Sequence, residues 1–583
     1  MPLSEINNLL GNKYQITENG VAETYNYLTA SFINENGDIS NCIIVFGEPD
    51  NIAEYYDRWV RIAPRIQLPE IVDSFLENGK AYLVVGDTAD ADWANAIHIV
   101  FGHAGWWLLP YENQKLLLRY IKEVLMILQS LEAMLEPVFV SPDLFGLHNK
   151  KIHLKLLPDE MLWNRQDLFA QKQNSYNLAL MIVHCLTDLV PVKLDYQHPV
   201  RLRRSLLYFI ADSELVDVLI RCLSPDNGGL VSLQELFTQV FAFERRVAAG
   251  KFSSDVFFFN ASFNFLEGLE QLVIKSLDEI ATCGQQERRT GANGFANSYV
   301  EKCFLLHKLT TMISVPVEYA ENKHGADKFS DAMDVASGVA GAYLYTLACS
   351  RQGDGQEIST KTEGYINKLI GSQLADGSWD GLTIGSRSSA AAFWNGVAGI
   401  AFVLWLEYRV SGEQHVLLAA RRAMDWLKKQ AVYKDGHVYW YRAGGRLLLP
   451  GFAGGVAGIA FTFIVAAEAT GDADYREVAE KSLMALPDRM YMNRFGYLNG
   501  LAGLGDVYME AWRVFNSAVW KTRAHTIAET LYYTSKLNES NSLWWSGDDG
   551  NSISNNSLFT GDAGILYFLL RYLRRDVSHL FEQ

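Results

Sequence analysis

The sequence predicts a multidomain chain: an α+β domain first, then an all-α α/α toroid. Two textures and one repeat carry that prediction. From about residue 12 to 90 the chain reads as short strands between Gly, Asn and Asp turns, in Tyr14-Gln15-Ile16, Tyr25 to Phe32, Asn41 to Phe46 and Ala81 to Val85. From Tyr111 to Glu132 the apolar spacing turns helical (Leu116-Leu117-Leu118, Ile121, Val124-Leu125, Leu128), and helical stretches return at Ser175 to Thr187 and Arg204 to Leu223. The second half repeats Gly-x-x-Gly at the head of an apolar helix, as Gly338-Val-Ala-Gly341, Gly396-Val-Ala-Gly399, Gly455-Val-Ala-Gly458, Gly500-Leu-Ala-Gly503 and Gly561-Asp-Ala-Gly564.

The repeat starts lie 58, 59, 45 and 61 residues apart. In the first three units a second turn signal follows, Gly353-Asp354, Gly412-Glu413 and Gly471-Asp472, so each unit reads as helix, αL turn, helix. Two glycines on one face let a neighbouring backbone come close, with first-turn N–H groups facing outward. Repeated around a ring, such hairpins place apolar inner helices (Ala457 to Ala466 is the clearest) with their N-termini at one mouth; an open solenoid is the competing arrangement. The 45-residue step suggests an eroded hairpin and irregular closure.

Composition bounds the function. With 51 Lys+Arg against 67 Asp+Glu the charge is −16, which lacks the basic footprint of a nucleic-acid or anionic-membrane binder. The six cysteines are scattered, with no CxxC and no Cys-His cluster, so neither a disulfide framework nor a thiolate zinc site is read from spacing. Met1 to Gly11 lacks the basic and apolar regions of a signal peptide, and Val456 to Ala467 is too short to span a bilayer, which predicts a cytoplasmic protein.

The glycine units resemble those of the lanthionine synthetase C-like cyclases. The resemblance rests on Phe393-Trp394-Asn395-Gly396, Gly451-Phe452-Ala453-Gly454-Gly455 and Ser557-Leu558-Phe559-Thr560-Gly561 and covers residues 330 to 583. In fused bacterial members a protein-kinase-like domain precedes the cyclase, and residues 1–245 fit that order: Tyr82 to Gly86 resembles the strand into a kinase hinge, Ser141-Pro142-Asp143 to Pro158 a catalytic loop and metal-binding strand, Ser175 to Thr187 the long buried helix of the large lobe. The expected division is 1–245 kinase-like, 246–330 a helical linker or start of the toroid, and 331–583 the toroid. The whole resembles a class III/IV-like lanthipeptide synthetase, degenerate in both halves.

Phosphoryl transfer needs a glycine loop, a phosphate-holding lysine, an aspartate base and an acidic metal ligand. The corresponding positions carry only Gly20, then Phe46, then Phe139; Leu144 stands near the metal-binding asparagine, and Pro158, beside Asp159, near the acidic ligand. A pseudokinase is expected. In the cyclase family two cysteines and one histidine of the glycine loops hold a zinc ion that activates the attacking thiol. Here that Cys-His-Gly signature is best matched by Leu498-Asn499-Gly500, Gly454 replaces the histidine of the Phe-Ala-His-Gly signature, and no cysteine follows Cys349. Because the sequence departs from that ligand set, no metal or other cofactor is expected, and any cyclase activity is expected to be zinc-independent.

The expected site is the mouth formed by the leading ends. Asp380, Arg442 and Asn499 are the catalytic candidates; Trp394, Asn395, Tyr441, Tyr497, Thr560, Asp562 and Trp545 are the substrate-binding ones, with Asp376, Trp379, Tyr439, Asp548 and Asp549 in the preceding loops. Aromatic rings with amides, carboxylates and an arginine suit an extended peptide. Each has a plainer alternative: Asn395, Asn499 and Thr560 as helix N-caps, Asp562 as a first-turn carboxylate, Asp376-Gly-Ser-Trp379 as a turn with a packing tryptophan, and Arg442 as a solvated surface group. The implied partner is a precursor peptide, with a homologous active synthetase or a second copy as further candidates. A scaffold built of two inactive folds, and an unrelated toroid lyase or terpenoid-type cyclase using Asp376, Asp380 or Asp548, stand as alternatives.

Overall fold

The computed structural model describes residues 14–21, 26–33, 39–66, 68–77, 79–86, 91–93, 97, 100–101, 109–134, 142–148, 150–155, 168–187, 199–223, 231–250, 266, 268–282, 294–296, 298–312, 328–349, 355–380, 382, 389–442, 445–492, 494–538, 540–545, 556–574 and 577–581. The kinase-motif positions Phe139, Ser141, Pro158 and Asp159, the turn Gly353-Asp354, and Asp548 and Asp549 lie outside them. The chain divides into two compact units, 1–261 and 262–583, so the helices between 262 and 330 belong to the second.

The first unit opens with a five-stranded antiparallel sheet built from β1 (Gln15–Val21), β2 (Asn26–Ile33), β3 (Ile39–Gly47), β4 (Ile71–Glu77) and β5 (Lys80–Gly86), in the order β1-β2-β3-β5-β4. Cys42–Phe46 of β3 and Ala81–Val85 of β5 are buried on both faces and read as unbroken apolar runs. One face packs on α1 (Pro49–Ile62) through Ile52, Tyr55, Trp59 and Ile62. The other gathers Tyr14, Ala30, Cys42, Ile44, Phe46, Tyr82 and Val84. Beyond it come the short strand β6 (Ala91–Asp92), the long helix α2 (Tyr111–Ala133), the hairpin β7 (Phe145–His148) and β8 (Lys151–Leu154), and helices α3 (Leu168–Thr187), α4 (Pro199–Ile210), α5 (Ser213–Leu223) and α6 (Leu233–Ala248). A twisted sheet with one helix followed by a mainly helical part is the α+β arrangement expected for this half.

Among the described residues the second unit is helical apart from two short hairpins. Its inner helices are α8 (Ser298–Met312), α9 (Val339–Cys349), α11 (Val397–Ser411), α13 (Val456–Thr470), α15 (Leu501–Phe515) and α17 (Asp562–Leu573), each packed on the next. Outside them lie α10 (Gly355–Gly371), α12 (Gln414–Gln430), α14 (Ala473–Met484), α16 (Ala518–Thr534) and, against α17, α7 (Leu269–Thr282). The ring closes where Glu301 of α8 accepts hydrogen bonds from the Ser557 hydroxyl (2.5 Å) and the Phe559 N–H (2.9 Å), just before α17. An α/α toroid rather than an open solenoid is therefore present.

The irregular step is also explained, and the expected erosion does not occur. The third unit keeps both helices, but α14 has 12 residues where α12 has 17. The loop after α12 carries the hairpin of β9 (Val432–Lys434) and β10 (His437–Tyr439), whereas the described residues of the loop after α14 form no strand. All the shortening is on the outside of the ring.

Turn chemistry follows expectation at the described hairpins. Gly412 and Gly471 end their helices in αL (φ +67° and +70°), and Asn516 does the same for α15. Among the described residues no helix is long and apolar enough to cross a membrane.

Candidate functional site

The helix-leading ends are locked together by backbone. Phe295 N–H donates to Ala336 O, Ala336 to Trp394 O, Trp394 to Ala453 O, Ala453 to Leu498 O and Leu498 to Phe559 O, at 2.7–2.9 Å. From Ala336 on, each donor sits two residues before the first glycine of its unit, so the belt has one link per repeat. Phe295 extends it to α8, a sixth member without the glycine signature.

This belt corrects two expectations. Glycine itself is the N-cap of α11, α13, α15 and α17, so Asn395, Asn499 and Thr560 precede the cap rather than form it. The first-turn N–H groups do not all face the mouth: Val339, Val397, Val456 and Leu501 donate to carbonyls seven residues upstream (2.7–3.0 Å). A folded-back loop thus satisfies donors that a side-chain cap would otherwise take. The glycines are demanded by that fold-back. A Cβ on Gly455 would lie 2.1 Å from Leu449 O, and one on Gly458 would lie 2.1 Å from Phe452 O and 2.6 Å from the Phe393 Cβ of the preceding unit.

Inside the belt is an aromatic collar. Phe295, Phe304, Phe393, Trp394, Phe452 and Phe559 all place their rings within 6.4 Å of one ring, Phe581, measured between centroids. Phe581 belongs to the segment Val577–Phe581 that follows α17 and runs into the middle of the toroid. The mouth predicted as an open pocket is filled by this segment.

Behind Phe581 lies a buried polar network. His579 is fully buried, stacked on Phe461 at 3.9 Å. Its Nδ1 accepts from the Phe581 N–H (3.3 Å), so the neutral ring carries its proton on Nε2, facing Tyr497 Oη (3.2 Å) and Asp506 Oδ2 (3.3 Å). Tyr497 donates to Asp506 Oδ2 at 2.5 Å. Arg571 pairs with both Asp506 and Glu510, and its Nε reaches Val577 O (3.1 Å). Burial, then the neighbouring charge of Asp506, pushes the Tyr497 phenol well up; burial, then the cations Arg571, Lys308 and Arg513, pushes His579 well down.

The sequence reading did not single out this network. Its signal was Asp506 and Glu510 four apart in an inner helix, and Arg571 in another, where a charge survives only if paired.

The trailing half of the inner ring is stitched by side chains. Tyr343 of α9 donates to Glu407 of α11 (2.9 Å); Arg409 of α11 meets Glu468 of α13 (3.5 Å); Glu468 accepts from Arg513 of α15; Arg513 reaches Glu510 (2.8 Å). A cavity of about 350 Å³ opens here, lined by Lys308, Tyr343, Leu406, Arg409, Leu580 and Phe581 among others. That volume admits one or two side chains of a ligand.

The predicted residues scatter around this geometry. Trp394 is in the collar. Tyr497 is in the buried network, not on an open surface. Trp545 and Asp562 touch each other instead of lining the mouth: both are buried, and Asp562 accepts the Trp545 N–H (2.9 Å) while the indole N–H donates to Leu531 O (2.8 Å). Asn395 Nδ2 reaches Asp334 (3.4 Å), and Thr560 donates to Ser557 (3.0 Å) at the surface beside exposed Asn499. Tyr441 and Arg442 sit on a tight loop closed by the Arg442 N–H to Arg446 O (2.9 Å). Asp376 accepts from Ser378 N–H and Oγ, which holds its carboxyl below the usual range, and buried Trp379 donates to Leu369 O, so this is a turn with a packing tryptophan; Asp380 follows it, exposed.

Residues 295–582 match the family described as lanthionine synthetase C-like protein. No curated protein matches the chain. Among solved structures, it is similar to the Mycobacterium tuberculosis PknI kinase domain (18% identity, 40% of this chain and 96% of that one, TM-score 0.25) and to a mutant of it (19%, 40% and 96%, TM-score 0.26).

The matched region 295–582 lacks donors for the zinc ion that its resemblance to that family implies. At the matching positions Gly454 has no side chain, Leu498 is a buried aliphatic residue whose backbone serves the belt, and Asn499 is exposed. Neither thiolate nor imidazole is supplied there, so the residues do not fit the ion. Among the described residues no group of three or more His, Cys, Asp and Glu is placed to hold a metal.

Proposed function

We propose that the chain takes part in maturing a ribosomally made peptide, with the toroid receiving the peptide and forming a thioether without zinc. The observation that supports it most is the family match falling on a closed ring that has a cavity in its trailing half. In the reaction a cysteine thiol loses its proton as sulfur bonds to the β-carbon of a dehydroamino acid, and the enolate then takes a proton at its α-carbon. The proton count balances with one base and one acid. Tyr343, backed by Glu407, is the cavity's proton-carrying pair, and Lys308 is the cation suited to the enolate oxygen. Asn499, Thr560, Tyr441 and Arg442 are proposed as peptide contacts at the surface.

The test is incubation with a dehydrated, cysteine-containing precursor, with free thiol followed by alkylation and mass spectrometry. Thiol loss is expected in the wild type and at least a tenfold slower loss in Tyr343→Phe and Lys308→Met.

A second reading, a binding scaffold, has its own support. Phe46, at the position that the kinase resemblance gives to the phosphate-holding lysine, is a core residue stacked on Tyr82 (5.4 Å, 10°), which stacks in turn on Phe75. An apolar ring there answers none of the charge of a nucleotide, so we propose a pseudokinase. Peptide binding with no thiol loss would favour the scaffold.

A further inference from the structure

We propose that the segment Val577–Phe581 is a self-ligand: it occupies a binding site for the aromatic and apolar side chains of a peptide, and it must leave before such a peptide enters the toroid. The reading rests on the proposed function only for what the natural ligand is.

Three observations carry it. The collar is made by residues of the leading loops and α8, yet the ring they surround is contributed by a segment outside the hydrogen-bonded belt. That segment is held largely from the side, by groups that reach its carbonyls and its histidine: Tyr567 donates to Ser578 O (2.8 Å), Arg571 to Val577 O, while Tyr497 and Asp506 meet His579. A chain docked by side-chain donors on its carbonyls is held as a bound peptide is held. Finally, Leu580 and Phe581 are also walls of the cavity, which reaches the collar at Phe304.

The occupant defines the ligand class. A buried neutral imidazole, then a leucine and a phenylalanine, fit a stacking surface (Phe461), an apolar wall and an aromatic collar in turn. The site therefore takes a short peptide turn that places an aromatic residue in the collar in place of Phe581.

The probe is the pentapeptide Val-Ser-His-Leu-Phe carrying an N-terminal fluorophore, with binding to the full chain followed by anisotropy. The Phe581→Ala chain should bind it at least tenfold more tightly than the wild type, Phe581→Trp should bind it no better than the wild type, and a probe ending in alanine should lose the gain. In the wild type, the 577–581 amides should exchange hydrogen at least tenfold faster than those of α13. A folded Phe581→Ala chain that binds the probe no better than the wild type overturns the proposal. If that variant fails to fold, exchange of the segment as slow as α13 in the wild type overturns it. Because neither readout involves a thioether, failure of the chemistry leaves this result separate.

Discussion

The two ends of the toroid solve the same problem by different means. At the leading end neighbouring units are joined main chain to main chain, one hydrogen bond each, in a space so close that two positions per unit tolerate no Cβ. At the trailing end they are joined by long side chains, Arg409 to Glu468 to Arg513 to Glu510 to Arg571, and a cavity lies beside Arg409. Backbone stitching seals an end; side-chain stitching holds it open. The difference locates the accessible chemistry at the end that carries no sequence signature.

The comparison breaks most easily at Arg571, where the two kinds of stitching meet. Arg571→Met removes the guanidinium shared by buried Asp506 and Glu510, leaving them Tyr497 and Arg513, and costs about 3 kcal/mol. Urea unfolding should show that loss, and adding Asp506→Asn with Glu510→Gln should recover part of it. Gly458→Ala comes next: a methyl group 2.1 Å from a carbonyl forces the belt apart, for about 3 kcal/mol. Gly412→Ala, at a helix end with open space around it and φ +67°, should cost only about 1 kcal/mol. If the two glycine variants are equally destabilised, close approach is not what sets the leading end.

Titration sharpens the same contrast. His579 is held neutral in the fold with its proton affinity depressed, so below the ordinary imidazole value near 6.5 the unfolded chain binds a proton that the folded one refuses. Stability should fall as pH drops from about 6.5, and His579→Gln should make that fall shallower. His525 and His307, also depressed chiefly by burial, contribute slope that remains in the variant. Glu468 is also lowered, but because the hydrogen bond and charge of Arg513 favour its charged form, so its contribution is present above the usual carboxylate range and is lost as pH falls through the folded value. The smallest expected effect is Arg409→Ala, well under 1 kcal/mol, because that pair is partly exposed.

Much of the ring was legible because glycine spacing is a direct imprint of backbone contact. The helix-turn-helix unit, its αL turns and the inner apolar helices all follow from positions where no other residue fits. What escaped reading has physical reasons. Helix α8 has Asn297 where the other units have their first glycine, so the sixth inner helix left no signature. Asn395 and Asn499 looked like caps because Asn ordinarily caps, but a folded-back loop had already satisfied those donors. Tyr497 and Asp562 read as mouth residues from their place beside the glycines and Trp545 from the preceding loop; their polar atoms are instead spent inside the core. Segment 577–581 is too short to show any period, and only its partners reveal where it goes.

The belt also sorts the chain into parts that tolerate editing and parts that do not. In the glycine-marked units each link falls two residues ahead of the first glycine, so inserting a single residue in that interval would pull one loop out of step with its neighbours. Outside it, a helix can drop from 17 residues to 12 and a whole hairpin can vanish while the circle stays shut. Natural variation in length should therefore collect on the rim and spare a short interval before each inner helix, much as beads of different size can share one string.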